Sequence, residues 1–297
     1  MTVTIGLKSP LTKAVNYIRL LRVKHYIKNI IIFLPLVFSK KLFDPVLLTA
    51  AICGFAAFSF AASAIYVIND IRDAEKDRTH PTKCRRPIAS GAVQKKGAGI
   101  AAIGLLILSL VMNYFSSGTE LASFGILMGY FVMNLLYSFG LKKIPLVDVT
   151  ILAAGFLLRL FYGAAITDIS LSTWLCLTTV AASFYLGFGK RKGEFLLETT
   201  NKRDVLNSYS YAFLDKSMSM CMTLALVFYS LWTLDVSYVY GTATIWTVPF
   251  LLLIVLRYNF NIEKHLDGDP TEAIWGDPIL LVMILIYAVV MFLVLYC

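Results

Sequence analysis

The chain has 297 residues, 58% of them hydrophobic and only 15% charged, with a mean hydropathy of +0.74. Soluble domains carry about a quarter charged residues, so an ordinary soluble globule, a disordered tail and a fibrous repeat are excluded. A net charge of +9 would suggest nucleic acid in a soluble protein; here the placement of the charges points to membrane topology and anionic substrates, with no nucleic-acid partner.

In chain order, residues 1–16 hold no apolar leader core and read as a cytoplasmic tail. The amphipathic stretch 14–28 then leads into a short apolar run, 29–39. Together they make one span, its first half at the interface and kinked at Pro35. Eight longer runs follow: 45–69, 97–119, 121–141, 145–167, 169–189, 217–234, 236–256 and 278–297. Each is near the roughly 20 residues that cross a bilayer core of about 30 Å. The expected fold is all-α and integral to the membrane. Nine transmembrane helices form one bundle, a single domain over 1–297, around a central cavity opening to the cytoplasm.

With the N-terminus inside, 24 of the 27 Lys and Arg fall on the cytoplasmic side. Lys40 and Lys41 lie outside, and Arg159 lies within a span. That skew fixes the orientation in the cell membrane and puts Cys297 outside. The five cysteines have no metal-ligand spacing and read as small apolar residues. His25, His80 and His265 are isolated, which disfavours zinc.

The second span ends in Tyr66-Val-Ile-Asn69-Asp70-Ile-Arg-Asp73-Ala-Glu-Lys-Asp77. At 100° per residue, Tyr66, Asn69, Asp70, Asp73 and Asp77 share an arc of about 100°. Three carboxylates on one face repel one another unless a cation joins them. Mg²⁺ takes one or two carboxylates and completes its octahedron with water and phosphate. The plainer alternative is a solvated helix end with i,i+4 pairs. The next segment, His80 to Gly91, is a shaped turn carrying Lys83, Arg85 and Arg86 beside the carboxylates. Lys83 and Arg86 are candidates to hold phosphate oxygens. An ordinary basic loop of positive-inside topology is the plainer reading.

Asn69-Asp70-x-x-Asp73-x-x-x-Asp77, the following Arg86-Pro-Ile-Ala-Ser-Gly91 and the nine spans resemble the UbiA superfamily of intramembrane prenyltransferases. Within it, four features resemble the decaprenyl-phosphate phosphoribosyltransferase branch. They are Arg22-Val-Lys24-His-Tyr-Ile-Lys28-Asn29, Tyr137-Ser-Phe-Gly-Leu-Lys142, Asp148 with Arg159, and Gly189-Lys190-Arg191-Lys192-Gly193-Glu194. The resemblance implies a magnesium site at Asn69, Asp70, Asp73 and Asp77, the three aspartates being catalytic. Most members carry a second Asp-rich motif where this chain has Lys190-Arg191-Lys192. A basic cluster binds phosphate directly and repels a second metal. The expected substrates are therefore one metal-bound diphosphate and further bare phosphates, as in phosphoribosyl diphosphate with a polyprenyl phosphate. A topological anchor is the plainer role of those cations.

Lys24, Lys28, Lys142, Lys190 and Arg191 belong at the same mouth by topology. Asp148 and Arg159, eleven residues apart, share a helical face expected to line the cavity. The acidic loop with Asp267, Asp269, Pro270, Glu272 and Asp277 has no assigned role beyond a lid. The competing readings are prenyl transfer from an isoprenyl diphosphate to an aromatic acceptor, and a transporter for lipid-linked phosphates. Oligomerisation and lipid length stay open.

Overall fold

A computed structural model describes residues 10–79, 83–197, 204–264 and 269–297. His80, His265, Asp267, Lys202 and Arg203 lie outside the described residues. The helices are α1 (Pro10–Leu21), α2 (Leu34–Phe38), α3 (Pro45–Arg78), α4 (Lys95–Ser117), α5 (Leu121–Phe139), α6 (Val147–Thr167), α7 (Thr173–Leu196), α8 (Tyr211–Tyr240), α9 (Thr247–Glu263), α10 (Pro270–Gly276) and α11 (Pro278–Tyr296). Seven are long and apolar enough to cross a membrane: α3, α4, α5, α6, α8, α9 with the 3-10 turn before it, and α11. On length and composition, seven of the nine expected spans are found among the described residues. The run 169–189 becomes α7, whose C-terminal end carries Lys190, Arg191, Lys192 and Glu194.

The first expected span is built differently from the expectation. After α1, Arg22 adopts a left-handed conformation (φ 52°) and Val23–Phe33 forms a 3-10 helix leading into α2. Pro35 causes no kink. It occupies the first turn of α2, where a missing N–H costs nothing. At about 2.0 Å per residue the 3-10 segment rises roughly 22 Å; α2 adds about 7 Å. This segment runs antiparallel to α3. Arg22 meets Asp70 at 2.6 Å, Tyr26 meets Ser63 at 2.8 Å, and Asn29 meets Ser59 at 2.8 Å. It also crosses α6 at Gly163, where any Cβ would collide with the Ile32 backbone.

Asp44 caps α3, accepting from the amides of Val46 and Leu47, and Pro45 starts it. Its 34 residues extend about 51 Å, well past a bilayer core of about 30 Å. The last turns, carrying Asp70, Asp73 and Asp77, project beyond that thickness. Small residues, among them Ala57, Ala61, Ala64, Ala98 and Ala102, are buried along α3 and α4. Ser109 and Ser116 donate to the carbonyls of Ala57 and Ala50, both at 2.7 Å.

One boundary differs for a clear reason. The charge of Asp235 suggested a break, but α8 continues past it to Tyr240. Asp235 is exposed and needs no turn to solvate it. The stop comes at Gly241, where φ is 82°.

Candidate active site

The acidic end of α3 meets cations from three other segments. Asp70, 3% exposed, accepts from Arg22 at 2.6 Å and from Arg86 at 3.2 Å. The same Arg86 nitrogen reaches Asp77 at 2.6 Å. Asp70 and Asp77 are two turns apart on one face, which is why one guanidinium can bridge them. Asp73 lies nearer Lys142, at 3.5 Å, and remains about one-third exposed. Tyr66 lies under the Arg22 guanidinium (4.9 Å) and beside the His25 ring (5.4 Å). Asn69 is half-buried, and Lys83 sits in a 3-10 turn, Lys83–Arg85.

Among the described residues, no three His, Cys, Asp or Glu side chains stand close enough together to hold a metal ion. The donor set still fits magnesium. Asn69, Asp70, Asp73 and Asp77 offer only hard oxygen donors on the site side, the ligand type Mg²⁺ requires. Asp70 and Asp77 already converge on one cationic nitrogen. Two carboxylates are as many as Mg²⁺ usually draws from a protein.

A second cluster adjoins the first. Lys28 reaches the Asp269 oxygens at 2.9 and 3.1 Å, and Lys190 reaches Oδ2 at 2.6 Å. Asp269 caps α10, accepting from the Thr271 amide at 3.0 Å. Burial alone would raise its carboxyl, but the Lys190 and Lys28 ammoniums outweigh it and hold it well below the usual carboxylate range. Lys24 is exposed. In a 3-10 helix four residues turn about 480°, so Lys24 and Lys28 point some 120° apart. His25 eclipses Lys28 and is partly buried, its Nδ1 without a hydrogen-bond partner.

The three consecutive cations of α7 separate. Only Lys190 joins Lys28. Arg191 is fully buried; it donates to Asp148 at 2.5 Å, Glu194 at 2.6 Å and the Tyr137 hydroxyl at 3.0 Å. Tyr209 donates to the other Asp148 oxygen at 2.7 Å. Lys192 pairs with Asp215 at 2.6 Å and with Glu263. The expectation that Arg191 touches phosphate gives way to a role in tying α6 to α7, because no part of it is exposed.

Arg159 is also satisfied by protein. It donates to Asn29 at 2.7 Å, the Gly155 carbonyl at 2.6 Å and Tyr130 at 3.0 Å. Its guanidinium lies 4.9 Å from the Phe58 and Tyr130 rings. Asp148 and Arg159 are 0% and 6% exposed, so they bind separate partners and do not line a shared open face. The cavity lies elsewhere. An apolar space of about 300 Å³ is lined by Ile31, Leu34, Phe156, Leu186, Met222 and Tyr287, among others. Ile31 is one 3-10 turn beyond Lys28, and Leu186 is one α-turn before Lys190. The two lysines thus stand at one end of it.

Sequence reasoning gave no site role to Arg22 or His25, and gave Asp269 no role beyond a lid. The eclipsed i,i+3 spacing of His25 and Lys28 is readable only if a 3-10 helix is assumed. Nothing local reveals Asp269, which is 241 positions from Lys28.

A decaprenyl-phosphate phosphoribosyltransferase of Corynebacterium glutamicum is 34% identical, spanning 95% of this chain and 88% of that protein. One of the same name from Mycobacterium tuberculosis is 31% identical over 94% of each. A UbiA homologue from Archaeoglobus fulgidus, solved with GPP and Mg²⁺, covers 95% of this chain and 100% of its own at a TM-score of 0.71. At 17% identity that last likeness is one of fold alone. The model of the UbiA prenyltransferase family matches residues 30–275, and with this fold and these relatives the chain belongs to that family.

Proposed function

We propose that the protein transfers 5-phosphoribose from 5-phosphoribosyl 1-diphosphate to a polyprenyl phosphate of decaprenyl type, releasing pyrophosphate. The chain is a transferase of its family. The observation that carries the finer reading is the lysine pair. Where a second carboxylate motif would bind metal, Lys190 joins Lys28 at the end of an apolar cavity. That suits one lipid with a phosphate head, beside a separate acidic face for a diphosphate.

The acceptor oxygen attacks the anomeric carbon as its bond to the diphosphate breaks. Positive charge builds on the ribose ring, as in other glycosyl transfers. A phosphate monoester has a second pKa near 6, so the acceptor is largely ionised at neutral pH and needs no general base. Two anions must instead be held together against their repulsion. Lys28 and Lys190 serve the acceptor. Arg22, Arg86, Lys83 and Lys142 supply positive charge beside the carboxylates, where a diphosphate meets both signs. Magnesium held by Asn69, Asp70, Asp73 or Asp77 would neutralise the leaving group.

The site faces the cytoplasm of a nine-span protein in the cell membrane. The 3-10 segment with α2 reaches about 30 Å, one bilayer core. The 24 residues of α7 reach about 36 Å. Prenyl transfer to an aromatic acceptor is the other reading the family allows. An assay offering both pairs of substrates separates them. Labelled phosphoribosyl diphosphate should label the polyprenyl phosphate fraction. Reaction only between an isoprenyl diphosphate and an aromatic acid would defeat the proposal.

A further inference from the structure

Two ammonium groups from distant parts of the chain share one carboxylate. Both bond Oδ2 of Asp269, Lys28 at 3.1 Å and Lys190 at 2.6 Å. Their nitrogens are therefore within about 6 Å, a separation at which like charges repel strongly in a partly desolvated site. Their side chains are only 17% and 22% exposed. Without an anion the pair would splay or lose a proton. Asp269 is 6% exposed and fixed by its own backbone role, since it caps α10 between α9 and α11. The carboxylate meets Lys28 through both its oxygens and Lys190 through Oδ2, so one anion fixes both ammoniums.

We propose that Asp269 is a positioning residue. It holds Lys28 and Lys190 together as a clamp for a phosphate monoester, the head of the acceptor lipid. This rests on the functional reading above. The lipid is favoured over the 5-phosphate of the donor because the clamp stands one turn beyond residues that line the apolar cavity. Ile31 and Leu186 lie one turn behind the two lysines, whereas the acidic face of α3 is held by Arg22, Arg86 and Lys142.

Asp269→Asn is a clean probe, because Asn caps a helix as well as Asp does, while the charge and the second oxygen that accepts from the lysines are lost. Binding of farnesyl phosphate and of ribose 5-phosphate, both monoesters, is measured calorimetrically on the full-length protein in detergent. The variants are Asp269→Asn, Asp269→Glu and Lys28→Gln/Lys190→Gln. Asp269→Asn should weaken farnesyl phosphate about tenfold, the range seen when the partner orienting a binding group is removed. Asp269→Glu should restore most of it, and the double lysine variant should lose at least as much as Asp269→Asn. Ribose 5-phosphate should bind all of them as it binds the wild type.

Wild-type or tighter farnesyl phosphate binding by Asp269→Asn, with the lysine variant weakened, would overturn the inference. Asp269 would then be a competitor for the lysines. Weakening confined to ribose 5-phosphate would overturn the acceptor assignment. If the wild-type protein fails to bind farnesyl phosphate, the functional reading falls first and the inference with it.

Discussion

Asp73 and Arg191 mark two extremes of how a charged side chain is used here. Asp73 has one long contact, to Lys142 at 3.5 Å. Its change to Asn should abolish turnover and magnesium-dependent diphosphate binding while leaving the melting temperature in detergent unchanged. A neutral amide is a poorer Mg²⁺ ligand, and little native structure depends on the charge. Near wild-type turnover in Asp73→Asn would remove the aspartate from the site. Arg191 is the opposite case. Arg191→Lys keeps the charge but cannot serve Asp148, Glu194 and Tyr137 together. A buried pair broken on one side costs about 3–5 kcal/mol. The Lys variant, retaining the charge, should lose about 2–3 kcal/mol of that, seen as a lower unfolding midpoint. A variant as stable as wild type but unable to bind phosphate would return Arg191 to the list of ligands. The sequence held a hint of this division. Consecutive helical residues point about 100° apart, so Lys190, Arg191 and Lys192 could not all face one mouth.

Among the elements, the 3-10 segment Val23–Phe33 sets where the site forms. It carries His25 and Lys28, follows Arg22 and places Asn29 against Arg159. Its close approach to α6 requires Gly163. Gly163→Ala should push the two apart and cost about 1–3 kcal/mol, the usual range for overpacking, measurable by thermal unfolding. It should also raise the KM for the lipid acceptor, since Lys28 rides on the displaced segment. An unchanged midpoint and KM would show that the contact is slack. This element was the least legible in the sequence. Apolar runs of 20 residues announce themselves by composition, and α4 to α6 are found within a few residues of their expected limits, while α3 continues past residue 69 to Arg78. A 3-10 helix of 11 residues has no propensity signature. It is imposed by polar contacts to α3 that no local pattern encodes. The α8 boundary was misplaced because a charge was read as a stop when the backbone stop was Gly241.

The whole molecule gathers its chemistry at one end. The acidic end of α3, the cations of the first segment, the start of α6, the end of α7 and the α10 cap all meet there. The skew of positive charge predicts that this end faces the cytoplasm. A membrane-impermeant thiol reagent on intact cells should label the exposed Cys297 and spare Cys84, which becomes reactive only after permeabilisation. The reverse pattern would turn the mouth outward, away from a cytosolic donor. The apolar spans and the acidic motif were legible because each is local in sequence. The pairing of clusters was not, since Lys28, Lys190 and Asp269 meet only in the folded bundle. The central claim is transfer of an intact 5-phosphoribosyl group to a lipid phosphate. Its most direct test uses phosphoribosyl diphosphate labelled separately in the ribose and in the 5-phosphate, with purified protein, magnesium and a polyprenyl phosphate. Both labels should enter the lipid phase in equal amounts, with one pyrophosphate released per lipid modified, and none should do so with Asp73→Asn. Entry of neither label, or of one without the other, would contradict it.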